Sequence, residues 1–288
     1  MNTRTSPSPP HTEFFPPAPS AHPLARAWAC MADDRRQLVR YWPVVQNMVV
    51  QELRVRYQRS MLGFFWTLLN PILMMVTLTA VFSQFMGTDW REYVVYLFAG
   101  MVPWGLMAAS LNECAFCIIQ NEGLIRKIYL PKLIFPLTRI LINLTTCALS
   151  LVALFVLLIP LGARFTLPMV MLPVAVLMFT AFSIGLGLIV ATMNTFYRDC
   201  GHLVSVVLQA WYFASPIMYT IDALSPEVQR RFWLNPAYPF LRMFQAIIHD
   251  GHWPDLTTFL TAAGLATVSL GVGYAAFKFY EEKLVFRL

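Results

Sequence analysis

The chain has 288 residues, 58% of them hydrophobic and only 12% charged, with a mean hydropathy of +0.58 and a formal net charge of +6. A water-soluble globule carries about twice that charge, so the composition excludes one and demands helices that face lipid. The positive balance is read as membrane topology and not as affinity for nucleic acid.

Residues Met1–Pro23 hold seven prolines and no apolar run, which argues against a cleavable signal peptide and predicts a disordered, proline-rich cytoplasmic tail over residues 1–35. Residues 36–60 predict an amphipathic helix in the headgroup layer. Trp42, Val45, Val49 and Leu53 share one face; Arg40, Asn47, Gln51, Arg54 and Gln58 share the other. Glu52 and Arg56 break that pattern. Arg54, Arg56 and Arg59 are then available to anionic lipid or a phosphorylated substrate, or they serve as plain positive-inside anchors.

Residues 61–288 predict six transmembrane helices, near Leu62–Met86, Val94–Asn112, Leu133–Leu161, Leu167–Met193, Leu203–Ile221 and Leu256–Phe279. Each run approaches the roughly 20 residues that cross a hydrocarbon core, and the runs are continuous, which excludes an outer-membrane barrel. With both termini inside, fifteen Lys and Arg lie on the cytoplasmic side against five outside, as the positive-inside bias requires. The inner connections are Asn121–Lys132 and Asn194–His202. Outside, Thr220–Asp255 carries apolar patches such as Phe232–Leu241 and predicts short re-entrant helices between the fifth and sixth spans.

Reactive chemistry is sparse. No Gly-Lys pair occurs, so a P-loop is excluded and energy must come from a partner or a gradient. No carboxylate sits mid-span, which disfavours ion-coupled carriage. Cys114 and Cys117 read as helix packing, and no disulfide framework is expected. Arg139 and Asn143 lie one turn apart in the third span; the favoured reading has Arg139 snorkel to the inner headgroups, the other gives it a partner. The aromatics Phe82, Phe85, Trp104, Trp211, Tyr212, Phe213 and Tyr219 fall near outer span ends, where they form an interfacial belt or a sliding surface for sugar rings. Asp222, Glu227, Asp250 and Asp255, with His249 and His252, are the only residues a membrane-embedded enzyme acting on polyprenyl-phosphate-linked sugars could use, and His249-Asp-Gly-His252 reads as a solvated turn.

Four motifs in order carry a resemblance: Arg54–Pro71 (Arg-Val-Arg-Tyr-Gln-Arg-Ser-Met-Leu-Gly-Phe-Phe-Trp-Thr-Leu-Leu-Asn-Pro), Leu97–Trp104, Glu122–Pro131, and Tyr197-Arg-Asp199 followed by Ser215–Tyr219. Across residues 36–288 the chain resembles polysaccharide-exporting ABC transporter permeases of the type-2 class. The resemblance implies an all-α integral membrane subunit of the bacterial cytoplasmic membrane, without enzymatic activity. It implies a second copy of the chain as partner, and two cytoplasmic ATPase subunits that bind the ATP and Mg; this chain itself carries no cofactor. The cargo would be a lipid-linked glycan of O-antigen, capsule or teichoic acid type, with small hydrophobic compounds as the alternative. Glu122, Gly123, Leu124, Ile125, Arg126 and Lys127 would form the helix that docks on the ATPase, with Arg198 and Asp199 of the second inner connection beside it. Arg54, Arg56, Tyr57 and Arg59 would lie where the lipid diphosphate enters, and the seven aromatics along the glycan route.

Overall fold

The computed structural model describes residues 23–58, 65–86, 89–159, 166–221, 224–285 and 287, and among these all regular structure is helical. The chain divides near Trp42 into two units. The first contributes α1 (Pro23–Arg40), so the segment read from sequence as a structureless tail to residue 35 is helical from Pro23 onward.

The second unit holds α2 (Trp42–Tyr57), α3 (Phe65–Met86), α4 (Trp90–Gln120), α5 (Glu122–Lys127) and α6 (Ile134–Leu158). A 3-10 turn at Leu167–Met171 leads into α7 (Leu172–Phe196), followed by α8 (Cys200–Phe213), α9 (Pro226–Phe232), α10 (Tyr238–Gln245) and α11 (Leu256–Val285). Asp89 starts α4 by accepting the Arg91 N–H on its carboxylate at 3.2 Å, which satisfies one donor of the first turn. Of the four helices long and apolar enough to cross a membrane, α4 is the most enclosed, packed on α6, α7, α3, α8 and α10, while α7 makes its broadest contact with α11.

Side-chain bridges fix the helix directions. Asn194 near the end of α7 donates to the Ala115 carbonyl near the end of α4 at 2.7 Å. Phe196 and Tyr280 meet ring to ring at 5.3 Å, so α4, α7 and α11 run parallel and finish at one end of the bundle. α6 and α8 start at that end: the Cys114 thiol lies 3.6 Å from the Pro136 carbonyl, and the Gly201 N–H donates to Asn194 Oδ1 at 2.7 Å. Successive long helices thus alternate in direction. α7 and α11 cross on glycine, because a Cβ at Gly185 would overlap the Ser269 backbone and one at Gly273 the Gly185 carbonyl. The Ser269 hydroxyl donates to the Phe182 carbonyl at 3.0 Å across the same crossing, the close approach small residues permit between lipid-embedded helices.

Among the described residues, four stretches are long and apolar enough to cross a membrane: Trp90–Gln120, Ile134–Val156, Leu167–Phe196 and Leu256–Leu284. Ile72–Phe82 and Cys200–Phe213 are shorter apolar helices. The run expected as the fifth span, Leu203–Ile221, is helical over only part of its length. α8 ends at Phe213, and its 14 residues reach only about 21 Å. Pro216 explains the stop, since it lacks a donor and drives the preceding Ser215 out of helical geometry.

The backbone beyond α8 is irregular yet buried from Ser215 to Met218, so its carbonyls need partners from elsewhere. The Tyr93 hydroxyl donates to the Met218 carbonyl at 2.7 Å and the Tyr96 hydroxyl to the Tyr219 carbonyl at 2.7 Å. Gln245 of α10 donates to the Pro216 carbonyl at 2.7 Å. α10 itself is buried along nearly its whole length against α4, α7 and α11. Tyr96→Phe keeps the ring and strands the Tyr219 carbonyl. A loss of about 1–2 kcal/mol in unfolding stability is expected, read as a lower melting temperature in detergent; an unchanged melting curve would contradict this account of the break.

Candidate functional site

At the end where α4, α7 and α11 finish, the connection after α4 makes a single outward turn and a half. Asn121 closes α4, its side chain donating to the Cys117 carbonyl at 2.7 Å, and its own carbonyl accepts the Leu124 and Ile125 N–H groups at 3.0 Å to start α5. No α5 residue is buried, and an added methyl at Gly123 would meet nothing within 4 Å. Arg126 pairs with Glu122 at 2.7 Å along the helix. Ile128 and Tyr129, the latter 84% exposed, continue this surface. Lys132 returns the chain to the bundle by donating to the Glu281 carbonyl of α11 at 2.7 Å; burial pushes its ammonium below the usual lysine range, with Glu281 opposing. The Tyr197–Asp199 turn is exposed at the same end, held there by Asn194. The structure thus brings Glu122–Lys127 and Arg198 with Asp199 to one face of the bundle.

α2 joins that end through two ion pairs. Arg56 reaches Glu113 of α4 at 2.9 Å, and Glu113 also accepts from Asn143 of α6 at 3.1 Å. Arg139 of α6 binds Glu52 at 2.8 Å and the Gln120 side chain at 3.3 Å, one residue before Asn121. The Arg139 side chain is only 15% exposed. The snorkelling reading of Arg139 gives way to a partnered one, because a guanidinium enclosed by three helices needs acceptors there. Glu52 and Arg56, which spoil the amphipathic pattern of α2, are the residues that dock it. Arg54 lies on the opposite face, exposed and without an ion pair among the described residues. The side chain of Tyr57, and Arg59 altogether, lie outside the described residues.

One local signal accompanies these clasps. Glu52 with Arg56 and Arg139 with Asn143 are both polar pairs four apart in apolar surroundings, the separation that places both members on one helix face.

Toward the opposite end the aromatics gather around Trp104, which is buried on α4. Trp211 meets it edge-on at 5.6 Å and Tyr212 at 5.8 Å, and Tyr212 meets Phe213 at 5.4 Å. Asn235 accepts the Trp211 indole N–H at 2.7 Å and donates to the Ser215 hydroxyl at 2.9 Å. Tyr219 donates to the Phe213 carbonyl at 3.3 Å, and Phe213 is exposed. Phe82 is half-buried against the core, while the side chain of Phe85 lies outside the described residues. Five of the seven aromatics thus form one neighbourhood around the end of α8.

Of the residues an enzyme could use, Asp222 lies outside the described residues and Glu227 is exposed on α9. His249 and Asp250 sit on a π-helical turn that extends α10, ended by Gly251 in the left-handed region at φ 70°. The turn is half-buried rather than solvated. Asp250 accepts from Arg242 at 2.6 Å and lies 2.7 Å from His249 Nδ1. Burial raises its pKa, and the His249 hydrogen bond with the Arg242 charge more than reverse that, holding the carboxyl below the usual range. Among the described residues no three His, Cys, Asp or Glu side chains gather as metal ligands.

Residues 43–249 match the family profile described as ABC-2 type transporter. The chain is 31% identical over 250 residues to the O-antigen export system permease protein RfbA of Myxococcus xanthus, covering 86% of this chain and 96% of that protein. It is 28% identical to an O-antigen export system permease protein RfbA of Klebsiella pneumoniae, over 70% of this chain and 78% of that protein. It is 22% identical to the polysialic acid transport protein KpsM of Escherichia coli, over 84% and 95%.

Proposed function

The chain belongs to the ABC-2 type transporter family, and on that premise we propose that it is the membrane subunit of an ATP-driven exporter of lipid-linked polysaccharide. O-antigen export is the activity named for the Myxococcus xanthus relative, which aligns along nearly its whole length. The observation that carries the mechanical part of the reading is α5, an unburied helix that follows directly on the most enclosed of the four long apolar helices. α4 is about 46 Å long, more than the roughly 30 Å of the hydrocarbon core, so its last turns and α5 stand clear of the bilayer.

Two copies of this chain and two ATPase subunits would assemble, with ATP and Mg held by the ATPase. α5 and the Tyr197–Asp199 turn dock on the ATPase, so that end of the bundle faces the cytoplasm. α2 and the end of α11 share it, in keeping with both flanks inside. α3 and α8 complete six passes, α8 with help from the irregular segment after it, and α10 serves as a re-entrant helix. Arg54, with Tyr57 and Arg59, receives the lipid diphosphate, while Arg56 is committed to Glu113. Trp211, Tyr212, Phe213 and Tyr219 line the route of the glycan, with Trp104 behind them and Phe82 beside it. ATP binding shifts the population between a closed and an open arrangement of the pair.

Replacing Glu122 and Arg126 together by alanine tests the docking. Neither side chain is buried, so the bundle persists. Export is expected to fall roughly tenfold or more with loss of the ATPase stimulation, and lipid-linked glycan accumulates on the inner face. Undiminished export and stimulation would remove α5 from the mechanism. If no glycan is trapped when the whole chain is deleted, a small hydrophobic cargo takes its place.

A further inference from the structure

At the end of the bundle opposite α5, a cavity of about 220 Å³ is lined by Arg242, Asp250, His252, Trp253, Asp255 and Thr258, with Ala246 and Pro254. We propose that this cavity is a saccharide subsite that holds one sugar ring of the polymer as it leaves the membrane. The proposal rests on the exporter reading above. The size is below the 300–1,000 Å³ of sites for drug-sized ligands and corresponds to several water volumes of about 30 Å³, room for a single pyranose.

The lining matches what a sugar ring presents. Its hydroxyls need acceptors and donors side by side, supplied by the Asp250 and Asp255 carboxylates and by Arg242 and His252. Its C–H face is weakly positive and pairs with the negative face of an indole. Trp253 is 54% exposed and Thr258 only 3%, so the cavity grades from an open aromatic rim to a closed interior. Asp250 is already fixed by Arg242 at 2.6 Å and His249 at 2.7 Å, which pre-organises the polar wall. His249 meets Tyr96 edge-on at 5.4 Å, and Tyr96 holds the Tyr219 carbonyl. The cavity is thereby joined to the irregular segment at the end of the aromatic neighbourhood, where a polymer sliding past those rings would emerge. Weak, repeated capture of successive sugars there opposes back-sliding without arresting the chain.

The test uses the full chain with its ATPase in nanodiscs, and oligosaccharides released by mild acid from the surface polysaccharide of the source organism. Saturation transfer from protein to sugar protons is measured by NMR. Trp253→Ala is expected to lower the transferred signal about threefold or more, and Trp253→Phe, which keeps a stacking face, to retain most of it. Asp255→Asn is expected to lower it about twofold by removing a charged acceptor, with a side chain of nearly the same shape in its place. Both residues are exposed, so the elution profile stays that of the unaltered complex. Cells lacking the chain are assayed in parallel. If their glycan still reaches the surface, the exporter reading fails and the subsite with it. If the glycan is trapped but the unaltered complex gives no signal, or both variants transfer as much as it does, the subsite alone is overturned.

Discussion

Gly185→Ala or Gly273→Ala is expected to destabilise the folded bundle severely. A Cβ at Gly185 would fall inside the Ser269 carbonyl group, and one at Gly273 inside the Gly185 carbonyl, both well under the 3.0 Å that real Cβ atoms keep. Overpacking a core usually costs about 1–3 kcal/mol because side chains swing aside. Here the obstructing atoms are backbone in two long helices, so relief requires α7 and α11 to separate along their whole contact. About 4 kcal/mol or more is expected, a large share of the roughly 5–15 kcal/mol that holds a domain together. Ser269 would also lose its hydrogen bond to the Phe182 carbonyl. Size-exclusion profiles of membrane extracts read the outcome: aggregate or degraded chain for either variant. Gly264→Ala and Gly271→Ala are the controls, since an added methyl there meets nothing within 4 Å. They leave the profile unchanged or improve it by removing backbone freedom. A monodisperse Gly185→Ala chain with normal melting would disprove the glycine crossing.

The second large effect belongs to Arg139. Arg139→Ala leaves Glu52 and the Gln120 side chain without their shared donor. Glu52 is 43% exposed and can rehydrate, so the stability cost is only about 1 kcal/mol. The functional cost is expected to be greater, because α2 then keeps only the Arg56–Glu113 pair of its two ion pairs among the described residues, while Gln120, at the root of α5, loses its link to α2. Export falls roughly tenfold at normal protein levels, yet the partner still hydrolyses ATP, which marks uncoupling rather than unfolding. Exchanging the charges, Glu52→Arg with Arg139→Glu, restores part of the export. Unchanged export in Arg139→Ala would mean that α2 and α5 move independently.

What the residues disclosed in advance follows from the range over which each constraint acts. Apolar runs such as Leu133–Leu161 and Leu256–Phe279 are local, because the thickness of a bilayer writes itself into consecutive residues, and α6 and α11 lie where those runs do. The early stop of α8 is also local, carried by Ser215-Pro216, within a run that stays apolar through Ile217 and Met218. Satisfying the carbonyls beyond that stop depends on Tyr93 and Tyr96, more than a hundred residues upstream, and no local pattern announces them. The pairing of Arg139 is hidden for the same reason: it stands near a helix start, where snorkelling is available, and its partner Glu52 lies 87 residues away. The exposed helix after α4 is readable because exposure needs no partner. Glu122–Lys127 is charged at its ends and closed by Pro131, and it folds as a short free helix. The docking of α2 needed Glu52, Glu113, Arg139 and Asn143 to be seen together.

Reconstitution tests the central claim most directly. Proteoliposomes containing the chain and its ATPase, with lipid-linked glycan supplied on the outer leaflet beside the ATPase, are given ATP and Mg, and the fraction of glycan shielded from an added glycosidase is followed over time. Shielding that grows with ATP, and that stops when the ATPase is omitted or when Glu122 and Arg126 are both alanine, is the predicted result. Shielding that proceeds equally without nucleotide, or never exceeds that of liposomes lacking the chain, contradicts the account.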